Sequence, residues 1–193
     1  MDSRSRPRRL RALLIAAVGT LSVAFESSSS PAESDTMLRR NLIVPLSTVS
    51  QFFPDLTRET STGRNLMATG NPEATRMVIY EADDGSKKLT ITIDQYGSLG
   101  DASSAYQQAV KKSQSVPGYK PVRVPTLGQE TFAGTVTKDT ETHIGLGALD
   151  HRLILGATLA GYDATSDIAD KLVAVARMQG AAARAAMGSG GSP

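Results

Sequence analysis

The sequence predicts an α+β fold, a mainly antiparallel β-sheet with helices packed on its faces. Three observations carry that expectation. The apolar residues change period along the chain, from two to nearly four and back. The gaps between candidate strands are of hairpin length, which joins neighbours antiparallel. Strands and helices do not alternate, which argues against a doubly wound nucleotide-binding sheet. The expected order is α-β-β-α-β-β-β-β-α, in one domain over residues 40–186.

The chain has 193 residues, and its first stretch reads as an address rather than as part of that domain. Arg4, Arg6, Arg8, Arg9 and Arg11 precede an apolar run from Leu13 to Val18 that continues to Phe25. Ser22-Val23-Ala24 supplies small residues where a signal peptidase cuts, so residues 1–24 are expected to be a signal peptide cleaved after Ala24. The alternative is an uncleaved N-terminal anchor, although the run is short for a membrane span of roughly 20 residues. Arg8-Arg9 leaves both the general secretory and the twin-arginine routes open. The leader holds five of the 21 Lys and Arg and one of the 19 Asp and Glu. What remains carries 16 basic and 18 acidic groups, a net charge of −2, which removes the compositional ground for nucleic-acid binding. There is no cysteine, hence no disulfide, no lipidated cysteine and no thiol chemistry. The roughly 170 remaining residues are enough to bury about 70% of their unfolded surface, and a monomer is expected.

Residues 25–39 include Ser27-Ser28-Ser29-Ser30-Pro31 and read as a disordered linker, as does the tail 187–193. Ser47 is the expected N-cap of a short helix through Gln51, Phe52 and Phe53, ended by Pro54. Residues 57–72 lack periodicity and read as a loop. Arg76 to Ala82 is β-rich, and Lys88 to Asp94 alternates strictly, with Leu89, Ile91 and Ile93 on one side and Thr90, Thr92 and Asp94 on the other. Asp83-Asp84-Gly85-Ser86 between them is hairpin chemistry. A helix capped by Asp101 follows, with Ala102, Ala105, Tyr106, Ala109 and Val110 as its apolar stripe, ended by Pro117-Gly118. Strands are expected around 122–124, 131–137, 142–149 and 152–162. Asp163 and Thr165 then open a last helix that turns Ile168, Leu172, Val175 and Ala176 inward.

Several segments together resemble a known group. They are Ile43-Val44-Pro45-Leu46-Ser47, Ile93-Asp94-Gln95-Tyr96, Ala105-Tyr106, and Val124-Pro125-Thr126-Leu127-Gly128-Gln129-Glu130 before a strand, a hairpin and a final helix. Their layout is similar to small exported actinobacterial-type lipoprotein and kinase-sensor domains, related to the PsbP/Mog1 fold. The resemblance implies an α/β sandwich and a binding or accessory role, with no enzyme activity to carry over. Those domains mostly carry a lipidated cysteine, a disulfide or a membrane tether, and this chain departs from them in having none of the three.

No Gly-x-Ser-x-Gly, Ser-x-x-Lys or phosphate-cradling Gly-Lys-Ser/Thr motif occurs. Gly145-Leu146-Gly147 lies between strands rather than at a strand-to-helix turn, so it does not read as a dinucleotide loop. His143 and His151 are the only histidines. On one extended segment they would stand about 25 Å apart, too far to share a metal. Asp83-Asp84 reads as turn chemistry, and the cluster of Lys111, Lys112, Lys120 and Arg123 as a solvated helix end. Neither a metal nor a cofactor is expected.

The candidate site comes from the hairpin at 142–159. With Asp150-His151 as a two-residue turn, Gly147 pairs with Ile154, Gly145 with Gly156 and His143 with Thr158. One face is then apolar (Ile144, Leu146, Ala148, Leu153, Leu155, Ala157, Leu159), and the other carries His143, Gly145, Gly147, Gly156 and Thr158. Three glycines on one face invite a close approach. It is either the alanine-rich helix over 169–186 or a ligand groove. The leading functional expectation is an exported, non-enzymatic binding or accessory protein of the cell envelope, its partner a small molecule or an envelope protein. The alternatives are a hydrolase or isomerase using His143 and an envelope structural module.

Overall fold

The computed structural model describes residues 42–65, 72–138 and 141–188. The leader (1–24), the linker (25–39) and most of the tail lie outside them. The order is α1 (Leu46–Val49), β1 (Arg58–Asn65), β2 (Ala74–Glu81), β3 (Lys88–Gln95), α2 (Leu99–Gln114), β4 (Lys120–Pro121), β5 (Glu130–Lys138), β6 (Glu141–Asp150), β7 (Leu153–Ala160) and α3 (Ser166–Gly188). The seven strands form one sheet in the order β1-β2-β3-β7-β6-β5-β4, every neighbouring pair antiparallel. The α+β class and the antiparallel sheet are as expected, with one strand more than the sequence showed.

That strand is β1, inside the segment read as a loop. Its sequence, RETSTGRN, has no apolar alternation, because an edge strand here has little core to face. Backbone pairing with β2, from Arg58 opposite Glu81 to Asn65 opposite Ala74, holds it instead. The hairpin at 82–87 forms as expected. The Asp84 carboxylate accepts from the Ser86 amide at 2.9 Å, and Gly85 takes the positive φ the turn needs. The strand expected at 122–124 is found instead at Lys120–Pro121, and residues 122–124 are not strand, although the Val122 amide still donates to the Ala133 carbonyl.

The helix starts differ from the expected caps. Pro45, not Ser47, stands at the start of α1, and no side chain caps it. Ser98, not Asp101, caps α2. Its hydroxyl accepts from the Asp101 amide at 3.0 Å and donates to the Asp101 carboxylate at 2.7 Å, a reciprocal cap in which Asp101 is the third residue. Thr165 caps α3 through the Ile168 amide, and α3 runs to Gly188, one residue beyond the expected onset of the tail.

The two helices lie on opposite sides of the sheet. α3 packs on β6 and β7, where Leu172, Val173, Val175 and Ala176 join Ile144, Leu146, Leu155, Ala157 and Leu159 in the main core. The same side of β2 and β3 is closed by residues 42–56, with Val49, Phe53 and Leu56 against Val78, Tyr80 and Leu89. Residues 42–44 are fixed there by side chains. The Gln179 amide takes a hydrogen bond from the Val44 amide at 3.0 Å and gives one to the Leu42 carbonyl, while the Tyr80 hydroxyl donates to the Val44 carbonyl. Gln179 is fully buried, so both ends of its amide need these partners. On the other side, α2 packs on β6 and β7 through Ala102 and Tyr106, in a smaller cluster with Tyr96, Leu149 and Ile154.

Candidate functional site

The hairpin that carries the candidate residues turns one position later than its sequence suggested, which moves its pairing register by two. Asp150 pairs with Leu153, so the turn is His151-Arg152 rather than Asp150-His151. His151 takes a positive φ of 55° there, its amide donating to Gln129 at 2.8 Å and its ring Nδ1 2.9 Å from Asp150. Gly147 is therefore opposite Gly156, Gly145 opposite Thr158, and His143 opposite Ala160. A shift of two keeps every side chain on its face. His143, Gly145, Gly147, Gly156 and Thr158 thus share one side as expected, while each of the three expected pairings is replaced.

A helix does lie on that side, but it is α2. The alanine-rich α3 packs on the opposite, apolar face. The reason is chemical complementarity. The large inward residues of α3 pack with the large residues of the apolar face, whereas α2 packs through Ala102 and Tyr106 on Tyr96, Leu149 and Ile154. Two rings fill the remaining space. Phe132, directly across from Gly147, lies over it, and a Cβ on Gly147 would stand 2.2 Å from that ring. Tyr119 lies over Gly134 at the same distance, its hydroxyl donating to the Ala133 carbonyl at 3.1 Å. Phe132 also meets Tyr106 of α2 edge to face at 5.7 Å. The trough expected at Gly147 is filled from within.

His143 is 7% exposed, and its Nε2 stands 3.7 Å from a Glu141 oxygen. It is thus a poor candidate for meeting a substrate. No group of three or more His, Asp or Glu side chains able to hold a metal gathers among the described residues.

The open surface lies beside α2, on the same side of β1, β2 and β3. Thr60 and Thr62 are exposed there, and Thr75, Met77, Ile79 and Thr90 are half-buried. Register places Ile79 beside Thr90, Met77 beside Thr92, and Thr75 beside Asp94. Asp94 is only 2% exposed. Burial pushes its carboxyl up to about 6, against the lowering effect of a 2.7 Å hydrogen bond from Thr75. Its other oxygen, Oδ2, has no hydrogen-bond partner. Sequence reasoning placed Asp94 on the polar side of its strand but passed over it. The available signal was a carboxylate in a strict alternation, four residues before a helix cap. Its burial arises from packing beside Ile154 and Tyr96, which only the folded sheet brings together.

A small cavity of about 20 Å³, room for one water, lies on the α3 side. Leu127, Ala148, Leu153, Gly180 and Asp150 contribute to its lining, and none of the candidate residues does. Burial alone would raise the Asp150 carboxyl. Hydrogen bonds from Arg184, at 2.5 Å, and from His151 outweigh it and hold the group below the usual carboxylate range.

No protein-family model matches the sequence, and no curated protein sequence matches it. Solved structures do. The extracellular domain of PknH from Mycobacterium tuberculosis superposes with a TM-score of 0.54 at 10% identity, covering 72% of this chain and 92% of that one. LpqN from the same organism, described as involved in cell envelope biogenesis, gives a TM-score of 0.30 at 14% identity over 65% of this chain and 90% of its own. The second score is too low to carry an argument. The resemblance drawn from the sequence is met at the level of fold: the chain shares its architecture with the PknH extracellular domain.

Proposed function

We propose that this protein is an exported, non-enzymatic accessory domain of the cell envelope that binds its ligand or partner on the open face of β1–β3. The observation that carries the reading is the uneven cover of the sheet. β6 and β7 are packed by a helix on each side, whereas β1 and β2 keep one side on which Thr60, Thr62 and Thr75 surround Met77 and Ile79, with Arg58 and Glu81 at one end and Arg64 at the other. A surface with an apolar centre and a polar rim suits recognition. Export is supported by the basic and apolar order of residues 4–18 and by a fold shared with an extracellular domain. No described helix is long and apolar enough to cross a membrane. The hydrolase alternative is weakened by the burial of His143.

Native mass spectrometry of protein recovered from its own host tests this reading. A retained molecule or partner is expected on the wild-type chain and should be lost from Ile79→Glu, with the fold intact by circular dichroism. Retention by that variant would move the binding surface elsewhere.

A further inference from the structure

The two edges of the sheet are finished in opposite ways. β4 is the guarded one. It is two residues long, one of them Pro121, which has no amide to offer, and Pro117 and Pro125 flank it in sequence. Beyond it the chain still occupies that edge. The Val122 amide and the Tyr119 hydroxyl both donate to the Ala133 carbonyl, and the Leu127 amide donates to the Thr131 hydroxyl. Shortness and proline are the devices by which a sheet refuses a further strand. β1 has neither. Its eight residues pair with β2 without a break, contain no proline, and end the sheet on the other side.

Which main-chain groups β1 leaves over follows from the ladder. The Ala82 amide bonds to the Lys87 carbonyl, and antiparallel bonding alternates, so Ala74, Arg76, Val78 and Tyr80 bond toward β3. Thr75, Met77, Ile79 and Glu81 then bond toward β1, where they meet Arg64, Thr62, Thr60 and Arg58. The amides and carbonyls of Glu59, Ser61, Gly63 and Asn65 therefore point away from the sheet. No described residue bonds to them.

We infer that β1 is the seam of a homodimer, pairing antiparallel with β1 of a second copy about a two-fold axis at Thr62. Edge-to-edge pairing about such an axis keeps each face of the sheet on its own side, so only residues of like parity can meet. Centring on Ser61 would set Arg58 opposite Arg64 of the second copy, like charge against like. Centring on Thr60 or Gly63 leaves one end of the outward row without a partner. Centring on Thr62 sets Ser61 opposite Gly63, Glu59 opposite Asn65 and Thr60 opposite Arg64, with every outward group paired and no like charges opposed. A foreign strand would need pockets for its alternate side chains, whereas Thr60 and Thr62 offer only short exposed ones. A second copy needs no pockets, because the register alone selects it. The seam lays the two open faces side by side, whatever they bind. It buries little beyond one pair of strands, which makes it a weak, concentration-dependent interface with the expected monomer as its dilute state.

Sedimentation velocity of the protein recovered from its host tests this over a concentration series, beside hydrogen exchange read at single amides. A monomer at low concentration and a dimer at high concentration are expected, with exchange at Ser61 and Gly63 slowing as the dimer forms. Thr62 is exposed, so charging it leaves the monomer intact. Thr62→Lys and Thr62→Glu should each raise the dissociation constant about fivefold by opposing like charges, and an equal mixture of the two should restore pairing. Ser61→Pro removes an outward amide while sparing the ladder to β2, and should weaken the dimer about tenfold. A chain that stays monomeric with fast edge amides overturns the inference and leaves the edge to a strand of another protein. Slow exchange at Ser61 that ignores concentration overturns it too, and means that the chain covers its own edge. A dimer that neither Thr62 variant weakens, or that their mixture does not restore, has its seam elsewhere, and the inference falls.

Discussion

The two halves of the sheet solve the problem of a two-faced layer differently. Strands β6 and β7 have a helix on each side, large residues toward α3 and glycines toward α2. Strands β1 and β2 have residues 42–56 on one side and no described helix on the other, with threonine as the common outward residue. The covered half is therefore intolerant of added volume, and the open half is intolerant only where it hides a charge.

The largest expected effect breaks the covered half. Gly147→Val would drive a side chain into the Phe132 ring and, through it, into the edge contact with Tyr106. A loss of about 1–3 kcal/mol is expected from chemical denaturation. An unchanged midpoint would mean that the ring moves away freely and that the glycine is not there for close packing.

A second change should act in the opposite direction. The folded Asp94 carboxyl is raised to about 6 from 3.8, so the folded state holds the proton more tightly than the unfolded one. Its penalty is absent below about pH 4, grows as the pH rises toward 6, and is complete above that. Asp94→Asn is thus expected to be more stable than wild type by about 1–2 kcal/mol at pH 7.5. The gain should largely vanish at pH 4.5. Melting curves at both values decide it, and a variant less stable at both would mean that the charge is satisfied in solution.

The smallest effect belongs to the exposed threonines. Thr60→Lys on the open side is expected to stay within about 0.5 kcal/mol of wild type. A loss above 1 kcal/mol would show that some part of the chain covers this side after all.

What was legible in the sequence follows the same division. Period-two residues such as Leu89, Ile91 and Ile93 announced their strand because one side of it meets core. β1 announced nothing, since Arg58, Glu59, Thr60 and Thr62 are exposed and the strand is held by main-chain bonds that leave no trace in composition. The shared face of the five candidate residues was readable because parity survives a shift of two. Their partners were not, because the turn is set by contacts from Gln129 and Asp150. Nor could periodicity say that α2 rather than the expected helix over 169–186 covers the glycines, as α2 too carries alanines, Ala102, Ala105 and Ala109, on its stripe. Asp94 was visible as a residue, but its missing partner is a property of the folded surroundings.

The Gln179 clamp has a consequence for the order of assembly. Its two hydrogen bonds join positions 135 and 137 residues apart, nearly the whole span of the domain. A chain made from its N-terminus exposes Leu42-Ile43-Val44 long before Gln179 exists, and only that late residue can satisfy the Val44 amide and the Leu42 carbonyl together. Contacts of such separation delay the folding transition, because the connecting chain must be ordered before they return any free energy. The earliest residues of the domain to be synthesised are therefore among the last to be locked, and the final helix acts as the latch of the fold.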